Sequence, residues 1–159
     1  EMGIYSALPL LGGALGGVAG GYLNDYFIKR SGNRRWSRSL IGAFGKGVAA
    51  ILLFRALVLY FDDPLAFCTM LFFVKFFADM SLATRWGTVT DIGGKATASV
   101  FAFNNAVAGI GAVLAPTMYG IVAETTGWFN VFLIAIAAYV LCSIAWLTID
   151  CTRPLVKER

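Results

Sequence analysis

Histidine is absent from these 159 residues, and only 14% of them are charged. Without histidine there is no imidazole metal ligand and no imidazole general base. The three cysteines, Cys68, Cys142 and Cys151, fall in or beside apolar segments and show no Cys-x-x-Cys spacing. They read as small apolar residues rather than as metal ligands or a redox pair. No nucleophile stands beside a base, and Gly93-Gly94-Lys95 lacks the spacing of a phosphate-cradling loop. The sequence therefore predicts no enzyme activity, no cofactor and no metal. It begins with Glu1 and carries no signal-peptide layout, so it reads as a piece of a longer protein.

What is present is apolar. Hydrophobic residues make up 58% of the chain and the mean hydropathy is +0.74, whereas soluble domains carry about 25% charged residues. This is the composition of a membrane protein. Five apolar segments, roughly Gly3–Ile28, Ser39–Phe61, Leu65–Val89, Ala96–Val122 and Trp128–Ile149, are each long enough to span a hydrocarbon core of about 30 Å. Lipid leaves no partner for unpaired backbone groups, so open strands are excluded and the expected class is all-α. The predicted architecture is a polytopic bundle of five transmembrane helices, with residues 1–159 forming part of one domain.

Glycines organise the first segment. Gly12, Gly16 and Gly20 recur at four-residue spacing, as do Gly13, Gly17 and Gly21. Residues four apart share a helix face, so two adjacent glycine strips run down one side. In water each glycine costs about 1 kcal/mol relative to alanine. In lipid the same strip lets another backbone approach closely.

Loop charge orients the segments. Lys29, Arg30, Arg34, Arg35 and Arg38 follow the first one, and this basic stretch is predicted to be cytoplasmic. Asp62-Asp63-Pro64 and Glu124–Gly127 carry no basic residue and are predicted outside; Asp91–Lys95 and the tail with Arg153, Lys157 and Arg159 are predicted inside. The expected topology in a plasma or inner membrane has this chain's N-terminus outside and its C-terminus in the cytoplasm. The net charge of +4 is then a topology signal, and no nucleic-acid partner is implied.

Within the segments, Lys46 and Arg55 are near enough to the ends of the second to snorkel. Lys75 and Asp79 are not: counted from Leu65 they lie about 15–21 Å down a helix rising 1.5 Å per residue. A charge at such depth costs at least about 2.5 kcal/mol, so both should face protein or water. Their spacing allows an ion pair that only neutralises itself, or a cavity-lining pair that binds an anion or couples to a cation. Asn105 enters from the cytoplasmic side to about 14 Å, near the level of Lys75. Its amide could cross-link helices or touch substrate. Trp86 and Arg85, nearer the mouth, suit interface anchoring as well as ligand contact. Pro116, among Gly109, Gly111 and Gly120, predicts a bend in the fourth segment.

The chain resembles the C-terminal half of a major facilitator superfamily transporter, and within it the organic anion:cation symporter branch of hexuronate, galactonate and sialin-like carriers. Gly20-Gly21-Tyr22-Leu23-Asn24-Asp25 followed by Lys29-Arg30-Ser31-Gly32 is similar to the cytoplasmic loop motif after that family's eighth helix. Trp86, Asp91-Ile92, Asn105 and Pro116 are similar to its tenth-to-eleventh helix signature. Thr126-Gly127-Trp128 with Phe132 resembles its outer turn, and Trp146, Ile149-Asp150 and Arg153-Pro154 its C-terminal exit. The resemblance implies that the five helices are the eighth to twelfth of twelve, and that two halves rock about a central site. It implies substrate contact for Asn105, with Trp86 lining the same cavity. It also implies a cytoplasmic gate motif of Gly21, Asp25, Arg30, Arg34 and Arg35 that latches against the missing N-terminal half.

Three departures stand out. Tyr26 replaces a common arginine, Gly93-Gly94 replaces Ala-Pro, and Phe101-Ala102 replaces paired glycines. Lys75 and Asp79 match no part of the family pattern and stand as candidates on depth alone. The branch's substrate-clamping arginine and proton-carrying carboxylate belong to the N-terminal half. The expected function is symport of an organic anion, a sugar acid such as a hexuronate or aldonate, with a proton or sodium ion. The alternative is a transporter-like membrane sensor that binds a solute without moving it.

Overall fold

A computed structural model describes residues 2–153, with side chains from Tyr5 onward except Ser6. Among the described residues every regular element is helical: α1 (Met2–Ser31), α2 (Arg34–Leu59), α3 (Pro64–Asp79), α4 (Ser81–Gly93), α5 (Thr97–Thr126) and α6 (Trp128–Thr148), with a 3-10 turn at Gly94–Ala96. Three stretches are long and apolar enough to cross a membrane by length and composition: Arg34–Leu59, the run Pro64–Thr126 and Trp128–Thr148. The chain is a multi-pass membrane helix bundle.

The connections are shorter than hydropathy predicts. α1 closes at Gly32, whose φ of +65° suits a residue without Cβ. The Asn33 side chain then accepts a bond from the Trp36 amide at 3.2 Å and starts α2 at Arg34. The basic stretch, expected as a loop, is therefore largely helical, and Arg34, Arg35 and Arg38 stand on the first turns of α2. At the opposite end Asp63 caps α3 through the amides of Leu65 and Ala66, both at 3.1 Å, with Pro64 in the first turn. The third expected segment is split at Met80 into α3 and α4. Met80 keeps helical dihedrals (φ −53°, ψ −30°), so side-chain register carries across the interruption. α5 runs unbroken through Pro116, and Gly127 alone separates it from α6.

Packing centres on α2. Ala49 and Leu53 of α2 bury against Val74 and Ala78 of α3, with Phe132 and Ile136 of α6 closing over them. The expected close approach of the glycine strip is present, and its partner is α3. A Cβ on Gly12, Gly16 or Gly20 would strike the carbonyl of Phe72, Phe76 or Met80, one contact per helical turn. The second strip is looser: Gly17 would meet Leu82 at 3.8 Å and Gly21 would meet Ala83 at 3.5 Å. Large apolar side chains point outward elsewhere, as at Val18, Phe103, Val113 and Leu141, which suits a lipid surround. α5 buries no residue at all.

Candidate functional site

At 100° per residue, Lys75, Asp79 and Trp86 fall within about 40° of one another along α3 and α4. Lys75 Nζ and Asp79 Oδ2 pair at 2.8 Å, with 38% and 27% of the two side chains exposed. The pair leans on α1 at Gly13, where a Cβ would come within 2.5 Å of Asp79 Oδ2. The second glycine strip thus begins by making room for a carboxylate. The helix interruption follows directly after Asp79, and Ser81 there donates its hydroxyl to the Ala78 carbonyl at 3.0 Å.

One and a half turns or so further, the α4–α5 seam is aromatic. The Trp86 ring stacks on Phe101 at 4.2 Å and 25°, and the Arg85 guanidinium lies over Trp86 at 5.0 Å. Asn105 is one turn along α5 from Phe101 and is exposed. No hydrogen bond or ion pair among the described residues links Asn105 or Trp86 to the Lys75–Asp79 pair. Arg85 and Asn104, one residue before Trp86 and Asn105, line a cavity of about 360 Å³ walled by α4, α5 and α6. A larger cavity of about 740 Å³ lies where α1 ends and α2 begins. It is lined by apolar groups such as Phe27, Trp36 and Phe44, with no convergent charge.

The residues assigned to the gate motif divide. Gly21 packs toward Ala83, while Asp25 is exposed and only accepts from its neighbour Asn24 at 3.4 Å. Arg30 donates to the Tyr26 hydroxyl at 3.1 Å, one turn back on α1. Arg34 and Arg35 instead point to α4 and α6: Arg34 reaches Asp91 at 3.9 Å and Arg35 reaches Asp150 at 3.5 Å. The most buried arginine of this cluster is Arg38, 8% exposed, whose Nη2 lies 3.0 Å from Asp91 Oδ2. Arg153 joins Asp150 at 3.2 Å, and the Ser39 hydroxyl donates to the Ile149 carbonyl at 3.1 Å. The hydroxyl and amide of Thr152, ahead of Arg35 and Arg153, hold the Asp150 carboxyl below the usual carboxylate range. These bonds tie the start of α2 to the ends of α4 and α6. Sequence reasoning used Arg38, Asp91 and Asp150 as topology markers or motif letters and missed their partnership. The available signal was the four-residue spacing of Arg34 and Arg38 on one helix face.

The sequence profile of the Major Facilitator Superfamily matches residues 1–158. A protein of Cupriavidus necator named as a probable sulfoacetate transporter is 29% identical over 151 residues, covering 94% of this chain and 35% of that protein. Proteins named as probable galactarate/D-glucarate transporters are 25% identical in Bacillus subtilis and 24% in Escherichia coli, each covering 91% of this chain and 31% of the relative. The chain thus spans about a third of the length of the curated relatives it matches. Those relatives carry transporter names, not enzyme names. No solved structure gives a significant match.

Proposed function

This chain belongs to the Major Facilitator Superfamily, and from that premise we propose that it is the C-terminal part, helices eight to twelve, of a secondary transporter for small organic anions. The substrate is a sugar acid such as a hexuronate, aldonate or aldarate, moved with a proton or sodium ion by alternating access. The orientation is the one loop charge favours, with the C-terminus in the cytoplasm of a plasma or inner membrane.

The observation that carries this reading is the α3–α4–α5 face. It brings the Lys75–Asp79 pair on α3 and Trp86 on α4 to one side of those helices and sets Asn105 on the adjoining α5, none of the four buried. Charged and amide groups at membrane depth face a substrate path or protein, because lipid gives them no partner. The aromatic stack supplies a flat wall for a sugar carbon skeleton, and Asn105 supplies donors and an acceptor for hydroxyl or carboxylate groups. Asp79 is the acid deep in these helices that could carry a coupling proton. Arg34, Arg35 and Arg38 serve the cytoplasmic gate by holding helix ends together, and Asp25 and Arg30, exposed and bonded only within α1, are offered on that surface to the N-terminal half.

The test is uptake of labelled galactarate, galacturonate and sulfoacetate into proteoliposomes holding the full-length parent protein, with and without a pH or sodium gradient. Accumulation that collapses with one gradient supports symport and identifies the ion. Saturable binding without accumulation under any gradient favours the sensor and overturns transport.

A further inference from the structure

α1 and α2 part at the Gly32–Asn33 turn and leave the 740 Å³ cavity between them as a groove. Its walls are Leu23 and Phe27 on one side and Trp36, Leu40 and Phe44 on the other, and its floor is the buried Met80. Leu23 and Phe27 continue the glycine-ladder face of α1 by one and two turns past Gly20. The ladder's last contact is with Met80, where α3 gives way to α4.

The few polar groups of the lining are already engaged. Ser31 Oγ donates to the Phe27 carbonyl at 2.7 Å and meets Ser37 Oγ at 2.9 Å, and Asn33 Oδ1 accepts from the Trp36 amide. These bonds leave the shaft apolar, so what fills it is hydrocarbon.

The end of the groove nearest the turn is cationic. Arg34, Arg35, Arg38 and Arg153 share only two carboxylates, Asp91 and Asp150, so positive charge is in excess there. Arg34 and Arg35 stand in the chain between the groove residues Asn33 and Trp36, and the Arg35 guanidinium lies over the Trp36 ring at 5.2 Å. Arg34 is the least committed of the four. Its 3.9 Å approach to Asp91 is the longest in the cluster, and Arg38 already holds that carboxylate at 3.0 Å. The length fits as well. From Ser31 to Leu23 and from Trp36 to Phe44 each wall runs about 12 Å, against about 15 Å for one leaflet's half of the hydrocarbon core.

We propose that the α1–α2 groove is a binding site for one anionic phospholipid. An acyl chain lies along Phe27, Leu40 and Phe44 toward Met80, and the phosphate takes Arg34 and Arg35. The N-terminal half is the poorer match for this groove, because Asp25, which is offered to it, lies about 160° round α1 from Phe27. The lipid fills the gap between α1 and α2, and its phosphate draws on Arg34 while Arg38 keeps Asp91. The site needs only that the bundle sits in a membrane, and it is independent of what the protein carries.

Lipid titration of the purified, delipidated full-length parent protein, followed by native mass spectrometry, tests this. The probes are dioleoyl phosphatidylglycerol and dioleoyl phosphatidylcholine, which differ in headgroup and share their chains. The wild-type protein is expected to hold its first phosphatidylglycerol at least about fivefold more tightly than phosphatidylcholine, the worth of one basic residue at an anionic surface. Arg34→Gln is expected to weaken phosphatidylglycerol alone and cut that preference to about twofold or less. Leu40→Trp fills the shaft from an exposed position, leaves every arginine in place, and should weaken both lipids. Wild-type binding without headgroup preference is ordinary surrounding lipid and overturns the site. Phosphatidylglycerol binding unchanged in both variants, or in Leu40→Trp alone if Arg34→Gln does not fold, places the lipid elsewhere and overturns it too. No lipid held by the wild-type protein means that the rest of the parent chain covers the groove, which also overturns it. Each of these results leaves the transport reading standing.

Discussion

Arg38 reaches Asp91 at 3.0 Å through space that exists because residue 87 is glycine. A Cβ on Gly87 would overlap the Arg38 guanidinium, and Gly87 stands one turn before Asp91 on the same face of α4. Buried guanidinium, carboxylate and glycine form one unit that fastens α2 to α4.

Gly87→Ala is therefore expected to displace Arg38 and strand a buried cation, at about 3–5 kcal/mol. The checking measurement is the thermal midpoint of the purified full-length protein. Asp91→Asn should cost a similar amount, and the double variant little more than either single one, since both act on the same contact. Additive losses would mean that Gly87 and Asp91 serve separate contacts.

Gly16→Ala tests the α1–α3 ladder. Its Cβ would collide with the Phe76 backbone carbonyl, which cannot swing aside as a side chain could. Forcing the helices apart is expected to cost about 1–3 kcal/mol. Gly17→Ala, whose nearest neighbour would be Leu82 at an ordinary 3.8 Å, should be close to neutral. Equal midpoints for the two variants would contradict the close backbone contact.

These elements differ in how legible they were. The glycine ladder could be read because a four-residue period maps directly to one helix face; which helix it faced could not, since Phe72, Phe76 and Met80 show only carbonyls to it. Membrane depth picked out Lys75 and Asp79, and their pairing follows from spacing within one helix. Helix ends were misplaced where charge looks like loop: Asn33 caps α2, so Arg34 and Arg38 are helical despite their polarity. The interruption at Met80 leaves no composition signal because neither glycine nor proline causes it. The Arg38–Asp91 and Arg35–Asp150 bonds join residues far apart in the chain, and no local pattern encodes such a meeting.

Asp79→Asn is expected to leave Lys75 without its partner and lower the thermal midpoint. Replacing both, with Lys75→Met and Asp79→Leu together, removes both charges and should restore much of it, because no unpaired charge is then left at membrane depth. Transport separates structure from coupling. If the pair only neutralises itself, the double variant keeps gradient-driven uptake. If Asp79 carries the coupling proton, the double variant folds but loses accumulation while retaining substrate exchange. A single Asp79→Asn protein with unchanged midpoint and uptake would remove the pair from both roles.

Asn105 is separable from all of these contacts, because it is exposed and its amide makes no hydrogen bond among the described residues. Asn105→Ala should leave insertion and the thermal midpoint unchanged within about 0.5 kcal/mol. If its amide donates to a substrate oxygen, affinity should fall by about 10-fold, the worth of one hydrogen bond made in a site shielded from water. Asn105→Asp gives the sharper contrast. It keeps shape but places a negative charge before an anion, so affinity should fall further than with alanine and recover partly at low pH, where the carboxyl is protonated. Asn105→Ala and Asn105→Asp with equal, small effects on substrate affinity would move the binding face away from this side of α5.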